Sequence, residues 1–286
     1  MFTVPILTLL LAAPGDNLKL EWKLREGDVF YNKTTATMDQ TIEVLGQQMD
    51  QTITMKTVVR FKVKSAQEGA TVVEMTYLEN KIDAQGLPGV NIGDKMKNVT
   101  FTATLDSKYK VTKLDGYEKF LDSLTEGDDE QKKLMKLMMP ESTIRQMLSQ
   151  TFAIGPGKPV AVGDTWKQEE RVALGPLGGV EMKQTLRLDS VKDDVANISV
   201  KGDLTFKPGD GDGGLPFKIV KADLKADKFG GQYAFNLKTG RITETRVEME
   251  MSGTMTIGLA GQNIDAKLVQ KMKTVGVITD KNPVVD

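Results

Sequence analysis

Apolar and polar residues alternate along most of this chain. In the stretch QMDQTITMKTVVRFKV, residues 48–63, the positions Met49, Gln51, Ile53, Met55, Thr57, Val59, Phe61 and Val63 share one side. In RVEMEMSGTMTIGLAG, residues 246–261, Val247, Met249, Met251, Gly253, Met255, Ile257 and Leu259 do the same, against Glu248, Glu250, Ser252, Thr254 and Thr256. Period-two patterning of this kind predicts antiparallel strands with one dry and one wet face. The runs far exceed the usual strand of about 5–6 residues, and long strands suit a strongly curved sheet or half-barrel. Turn chemistry separates them: LGQQ at 45–48, QEGA at 67–70, KDDVA at 192–196, LKTGRI at 237–242 and LAGQNI at 259–264.

The pattern also recurs. REGDVFY at 25–31 and AVGDTWK at 161–167 each pair a Gly-Asp turn with an aromatic, and each precedes long strands. MKTVVRFKV from Met55 resembles MKQTLRLDS from Met182, and FTATLDSKYKV resembles YAFNLKTGRI as a closing strand, turn and strand. This predicts two similar β-meanders, residues 18–114 and 155–280. Trp22 and Trp166 are expected to anchor the core at the end of the sheet.

Between the meanders, residues 115–152 change to a helical period. Tyr117, Phe120, Leu121 and Leu124 stand at i, i+3, i+4 and i+7. After Gly127, DDEQKKLMKLMM opens with acids that suit a helix start and stacks Leu134, Leu137 and Met138. Pro140 begins a third piece, with Ile144, Met147, Leu148 and Phe152 aligned. Three short amphipathic helices are therefore expected to cover the dry face of the sheet. The fold class is mainly β with a helical insertion.

Methionine is concentrated in these helices and on the strand faces. Methionine fills irregular gaps in a core, and it also makes an adaptable lining for a greasy ligand. Both meanings stay open. If a ligand binds, helix spacing points to Phe120, Leu121, Leu134, Leu137, Met138, Ile144, Met147 and Leu148. Strand alternation adds Met55, Met249, Met251 and Met255.

Composition narrows the chemistry. The 286 residues contain no Cys and no His, which removes Ser-His-Asp and Cys-His catalysis, disulfides, and thiolate or imidazole metal sites. The acid pairs Glu169–Glu170 and Glu248–Glu250 have no catalytic arrangement, since adjacent strand residues such as Glu169 and Glu170 face opposite ways and Glu248 and Glu250 lie on the wet face. The loop PGDGDGGLP at 208–216 begins like a calcium loop, but Gly214 and Lys221 stand where acids are needed. A formal net charge of −1 and 6% aromatic residues give no footprint for nucleic acid. The sequence asks for no cofactor and no metal, and points away from an enzyme.

The chain opens with an uncharged apolar run, Phe2–Ala13, that ends in small residues. It is too short to span a bilayer and suits the core of a secretory signal. Residues 1–13 are expected to be removed on export to the periplasm, the cell surface or the medium, leaving no membrane-spanning helix. Oligomeric state is not encoded in any legible feature.

The GDTW turn, the closing GQYAFNLKTGR strand and the signal-like start resemble an uncharacterised family of bacterial exported proteins. Asn236 stands here in place of that family's Asp. The layout is also similar to half-barrel lipoprotein carriers of the LolA and LppX type, in which helices cross the concave face of a curved sheet. That resemblance implies an exported, non-enzymatic carrier of a lipid or other hydrophobic small molecule. A structural or envelope-interaction protein with a solid core is the alternative.

Overall fold

The computed structural model describes residues 17–85, 92–209, 215, 217–259 and 261–284. The expected leader and the Asp210–Asp212 loop lie outside the described residues. The alternating stretches form strands β1 (Val29–Val44), β2 (Gln47–Gln67), β3 (Ala70–Gln85), β4 (Thr100–Asp106) and β5 (Val111–Asp115) in the first half. The second half supplies β6 (Thr165–Ala173), β7 (Gly178–Lys192), β8 (Val195–Pro208), β9 (Phe217–Asn236), β10 (Arg241–Leu259) and β11 (Gln262–Thr279). Helix α1 (Ile92–Lys95) follows β3, while α2 (Tyr117–Thr125), α3 (Asp129–Met138) and α4 (Glu141–Gln150) occupy the predicted helical stretch.

All eleven strands belong to one open sheet, ordered β5-β4-β3-β2-β1-β11-β10-β9-β8-β7-β6. Neighbours are antiparallel throughout, and β1 joins β11 to fuse the halves. The turns fall where turn residues were read. Leu45 and Gly46 take positive φ between β1 and β2, and Asp193 and Asp194 do so between β7 and β8. The two Gly-Asp turns make matching bonds. Gly27 N donates to Val63 O and Val63 N to Asp28 O, just as Gly163 N donates to Leu188 O and Leu188 N to Asp164 O. Each Asp carboxylate accepts a backbone N–H three residues earlier, from Arg25 and from Ala161. Each matched strand residue, Val63 and Leu188, is also followed at once by an irregularity in the next ladder.

The sheet leaves two free edges, β5 and β6. Laid flat, ten spacings of about 4.8 Å would put them about 48 Å apart. Helix α4, whose full width is about 10–12 Å, bonds to both. Ser149 Oγ accepts from Val111 N of β5 at 3.0 Å. Thr143 Oγ1 donates to Ala173 O of β6 at 2.8 Å, and Gln146 Nε2 donates to Arg171 O. The sheet is thus rolled until its edges flank one helix, and side chains stand in for the missing ladder. It remains an open sheet with a helix in the seam.

One end of the roll holds the core. Phe30 and Phe61, neighbours on β1 and β2, stack at 5.0 Å, and Trp22 meets Phe152 edge-on at 5.1 Å. Both tryptophans are buried there, and Trp166 Nε1 donates to Ile154 O. Helix α2 contributes Phe120 and Leu121, and α4 contributes Ile144. Helix α3 differs from its expected stripe. None of its residues is buried, and Leu134 and Leu137 are 39% and 42% exposed. It rides on α2, tied by Lys132 to Glu118 and Asp122, and turns Met135 toward the core instead.

A buried cation locks the two halves at this end. In the TGR turn, Gly240 takes φ 60°, and a Cβ there would fall 2.4 Å from Lys23 Cγ. The next residue, Arg241, is 11% exposed and bonds Asp28 of the first Gly-Asp turn and Asp280 beyond β11, each at 2.7 Å. Its guanidinium lies 4.6 Å over the Phe30 ring. Removing the cation strands Asp28 in a partly buried site. Arg241→Ala is therefore expected to cost about 3 kcal/mol in urea unfolding. Asp280→Ala, at a carboxylate 74% exposed, should cost less than about 1 kcal/mol.

Candidate functional site

Directly paired residues of antiparallel strands share a face, so the registers fix the inner face row by row. Phe229, Met249, Met272, Met38 and Ile53 lie side by side across β9, β10, β11, β1 and β2. Two steps further along, Met251 sits beside Gln270 and Gln40. Beyond that, Leu224, Gly253, Leu268, Ile42 and Met49 form another apolar row. Met255, Ala266 and Val44 follow. Gly253 leaves a gap in its row because any Cβ there would sit 2.0 Å from Asp223 O.

This stretch of the inner face is separate from the helix-covered core. Met38, Met55, Met249, Met251, Met255 and Met272 all lie outside that core cluster. Leu224, Met249, Ala266 and Leu268 are nevertheless buried, as the floor of a curved surface is. Met55 is 40% exposed at its margin. The outer face opposite is charged: Glu248 takes Lys228 at 2.8 Å and Lys273 at 3.6 Å, and Lys267 meets Glu43 at 3.1 Å. Burial by the paired lysines is not needed for that ladder; their charges hold the Glu248 carboxyl below its ordinary range through hydrogen bonding and Coulomb attraction.

The twelve sequence-derived candidates divide. Phe120, Leu121 and Ile144 are buried in the helix-end core, with Leu148 packed against it. Met138 is half-buried on α3, and Leu134 and Leu137 face outward there. Met147 is 49% exposed on α4. Met55, Met249, Met251 and Met255 share the inner face with one another. The structure thus gathers the strand candidates on one surface and puts the helix candidates elsewhere. Met38 and Met272 belong to the same surface and were visible only as further alternating methionines.

A polar boundary separates the two regions. Thr57 Oγ1 donates to Asn80 Oδ1 at 2.8 Å, and Thr34 Oγ1 to Asn32 Oδ1 at 3.3 Å. Tyr77 and Tyr233 face the interior, where burial raises their hydroxyl pKa values. Glu170 points inward from β6 and has no hydrogen bond or ion pair among the described residues. Burial pushes its carboxyl above the ordinary glutamate value, and its charge raises Tyr233 further.

These features define an open, rolled antiparallel sheet with an apolar inner face and a helix in its seam. The chain belongs to the family described as "Family of unknown function (DUF6263)", whose model matches residues 50–260. No curated protein matches the sequence. Among solved structures it is similar to an outer membrane channel from Pseudomonas putida F1, at 9% identity over 94% of this chain and 100% of that one, with a TM-score of 0.24. It is also similar to DynF from the dynemicin biosynthesis pathway of Micromonospora chersina, at 10% identity over 96% and 92%, with a TM-score of 0.19. Overlap this loose carries no functional inference. Among the described residues, no helix is long and apolar enough to cross a membrane.

Glu170 gives a signed pH test. Its folded-state pKa lies above the ordinary value of 4.5, so the folded state binds the extra proton and stability falls as pH rises through the folded pKa. Glu170→Gln should raise the melting temperature at neutral pH and leave it unchanged below pH 4.5. Equal stabilisation at both pH values would place the effect outside titration.

Proposed function

We propose that this protein is a non-enzymatic binding or carrier protein that holds a lipid or other apolar ligand against the uncovered inner face of its sheet, in an exported setting. The observation that carries this reading is the row Phe229, Met249, Met272, Met38 and Ile53. It is an apolar band five strands wide, in which Phe229 packs against the helix-covered core and the other four residues lie outside it. Methionine suits the task because its unbranched, polarizable side chain adapts to chains of varied shape. Each methylene that an alkyl ligand buries there contributes about 0.8 kcal/mol, so a modest contact length suffices for micromolar binding.

The outer face gives the reading its polarity. Its lysine–glutamate ladders keep that side in water, so ligand and solvent are assigned to opposite faces of one sheet. The reading extends the resemblance to half-barrel lipoprotein carriers from layout to function.

Native mass spectrometry of the purified protein, then delipidation and titration with a fluorescent fatty acid, tests it. Wild type should bind the probe. Met55→Asp sits at a half-exposed margin and should fold normally while weakening binding at least about tenfold, which is about 1.4 kcal/mol. Met251→Asp should weaken it as much. A wild-type protein that carries nothing and takes up no probe would instead be the solid-core envelope module.

A further inference from the structure

The seam that α4 fills is not fully closed. A cleft of ≈ 470 Å³ opens between the β4–β5 turn and β6, and α4 forms its floor. Four cations line it: Lys108 and Lys110 from the turn, Arg145 from α4 and Arg171 from β6. Only two acids do, Glu169 and Glu170. Lys108 and Lys110 make no ion pair among the described residues, while Arg171 lies directly across the ladder from Glu181 and shares its charge. Arg145 reaches Glu141 only at 3.9 Å.

Two residues that line the cleft also carry buried donors without acceptors. Arg145 Nε and Gln150 Nε2 are shielded from solvent and have no hydrogen-bond partner. An unmet donor of this kind costs free energy, which an acceptor recovers once the side chain turns toward it. The α4 side chains that line the cleft recur at helical spacing, Ser142, Arg145, Gln146, Ser149 and Gln150. The helix therefore turns one polar stripe into the seam and Ile144 and Leu148 into the core.

Glu170 links the cleft to the inner face through the sheet register. It lines the cleft and faces inward, and across the ladder Glu170 is followed by Met182 and then Leu204 on the same face. The carboxylate thus marks the point where a polar cleft meets an apolar surface. We propose that the seam cleft binds the anionic end, carboxylate or phosphate, of an amphiphile whose apolar chain lies along the inner face. Arg145 and the two turn lysines supply the charge-assisted bonds, and Arg171 closes the far side. Glu170 is the opposing group, so neutralising it strengthens the site. This rests on the carrier reading above.

The test titrates delipidated protein with palmitate, hexadecyl phosphate and hexadecanol, which share a tail and differ in the head. Wild type should bind both anions more tightly than the alcohol, and the tighter anion names the head. Arg145→Gln should weaken both anions about tenfold and leave hexadecanol within about twofold, since one charge-assisted contact is worth about 1.4 kcal/mol or more. The double variant Lys108→Gln, Lys110→Gln lies on an exposed turn and should do the same, which keeps the test intact if Arg145→Gln fails to fold. Glu170→Gln should tighten the anions alone. Equal wild-type binding of all three ligands, or variants that weaken all three alike, would overturn the headgroup site and leave the carrier reading standing. No binding of any of the three would remove both.

Discussion

A sheet of many strands has to dispose of its two edges, since unpaired backbone N–H and C=O groups invite pairing with other chains. Here the solution is a helix. Ser149, Thr143 and Gln146 project from α4 and bond the main chain of β5 on one side and β6 on the other. Most of the remaining architecture follows from that constraint. The sheet must roll to bring the edges to one helix. The roll creates an inside, and the helix that closes the seam also carries Ile144 into the core.

The roll has two parts with different occupants. Where the helices sit, aromatic and aliphatic side chains fill the interior, and Arg241 ties Asp28, Asp280 and Phe30 into a lock between the halves. Where the longest strands run on past the helices, the inner face keeps its apolar rows without that cover. The polar boundary of Thr57, Asn80 and Glu170 lies between them. The carrier function proposed above would use this division: a fixed core that sets the shape, and an uncommitted apolar surface that a ligand would complete. In the proposed reading the seam cleft would take the head of an amphiphile and the inner face its tail.

Much of the fold was legible because alternation is local. The dry face of β2 and β10, the turns at Gly46 and Gly240, and the boundaries of α2 to α4 all follow from neighbours a few residues apart. The exposure of Leu134 and Leu137 was not legible. Their stripe is genuine, but α3 packs on α2 rather than on the sheet, and one helix's pattern does not say which surface will face it. The function of α4's polar stripe was hidden for a related reason. Ser149 and Thr143 look like ordinary surface residues until β5 and β6 are placed beside them, 38 and 30 residues away in the chain. Arg241 and Asp28 are 213 residues apart, and only their short motifs hinted at a role. Sequence placed Met55 and Met251 on a dry face; whether that face is covered depends on where the helices end.

The rolled sheet with α4 in its seam is the claim on which everything else depends, and the absence of cysteine makes it directly measurable. Lys110→Cys and Glu169→Cys put one spin label on each side of the seam, both on residues that line its cleft. Pulsed electron paramagnetic resonance should give one narrow distance distribution below about 25 Å, the width of a helix plus two label arms. A distribution centred near the roughly 48 Å span of a flat eleven-strand sheet would contradict the roll, and with it the inner face and the seam.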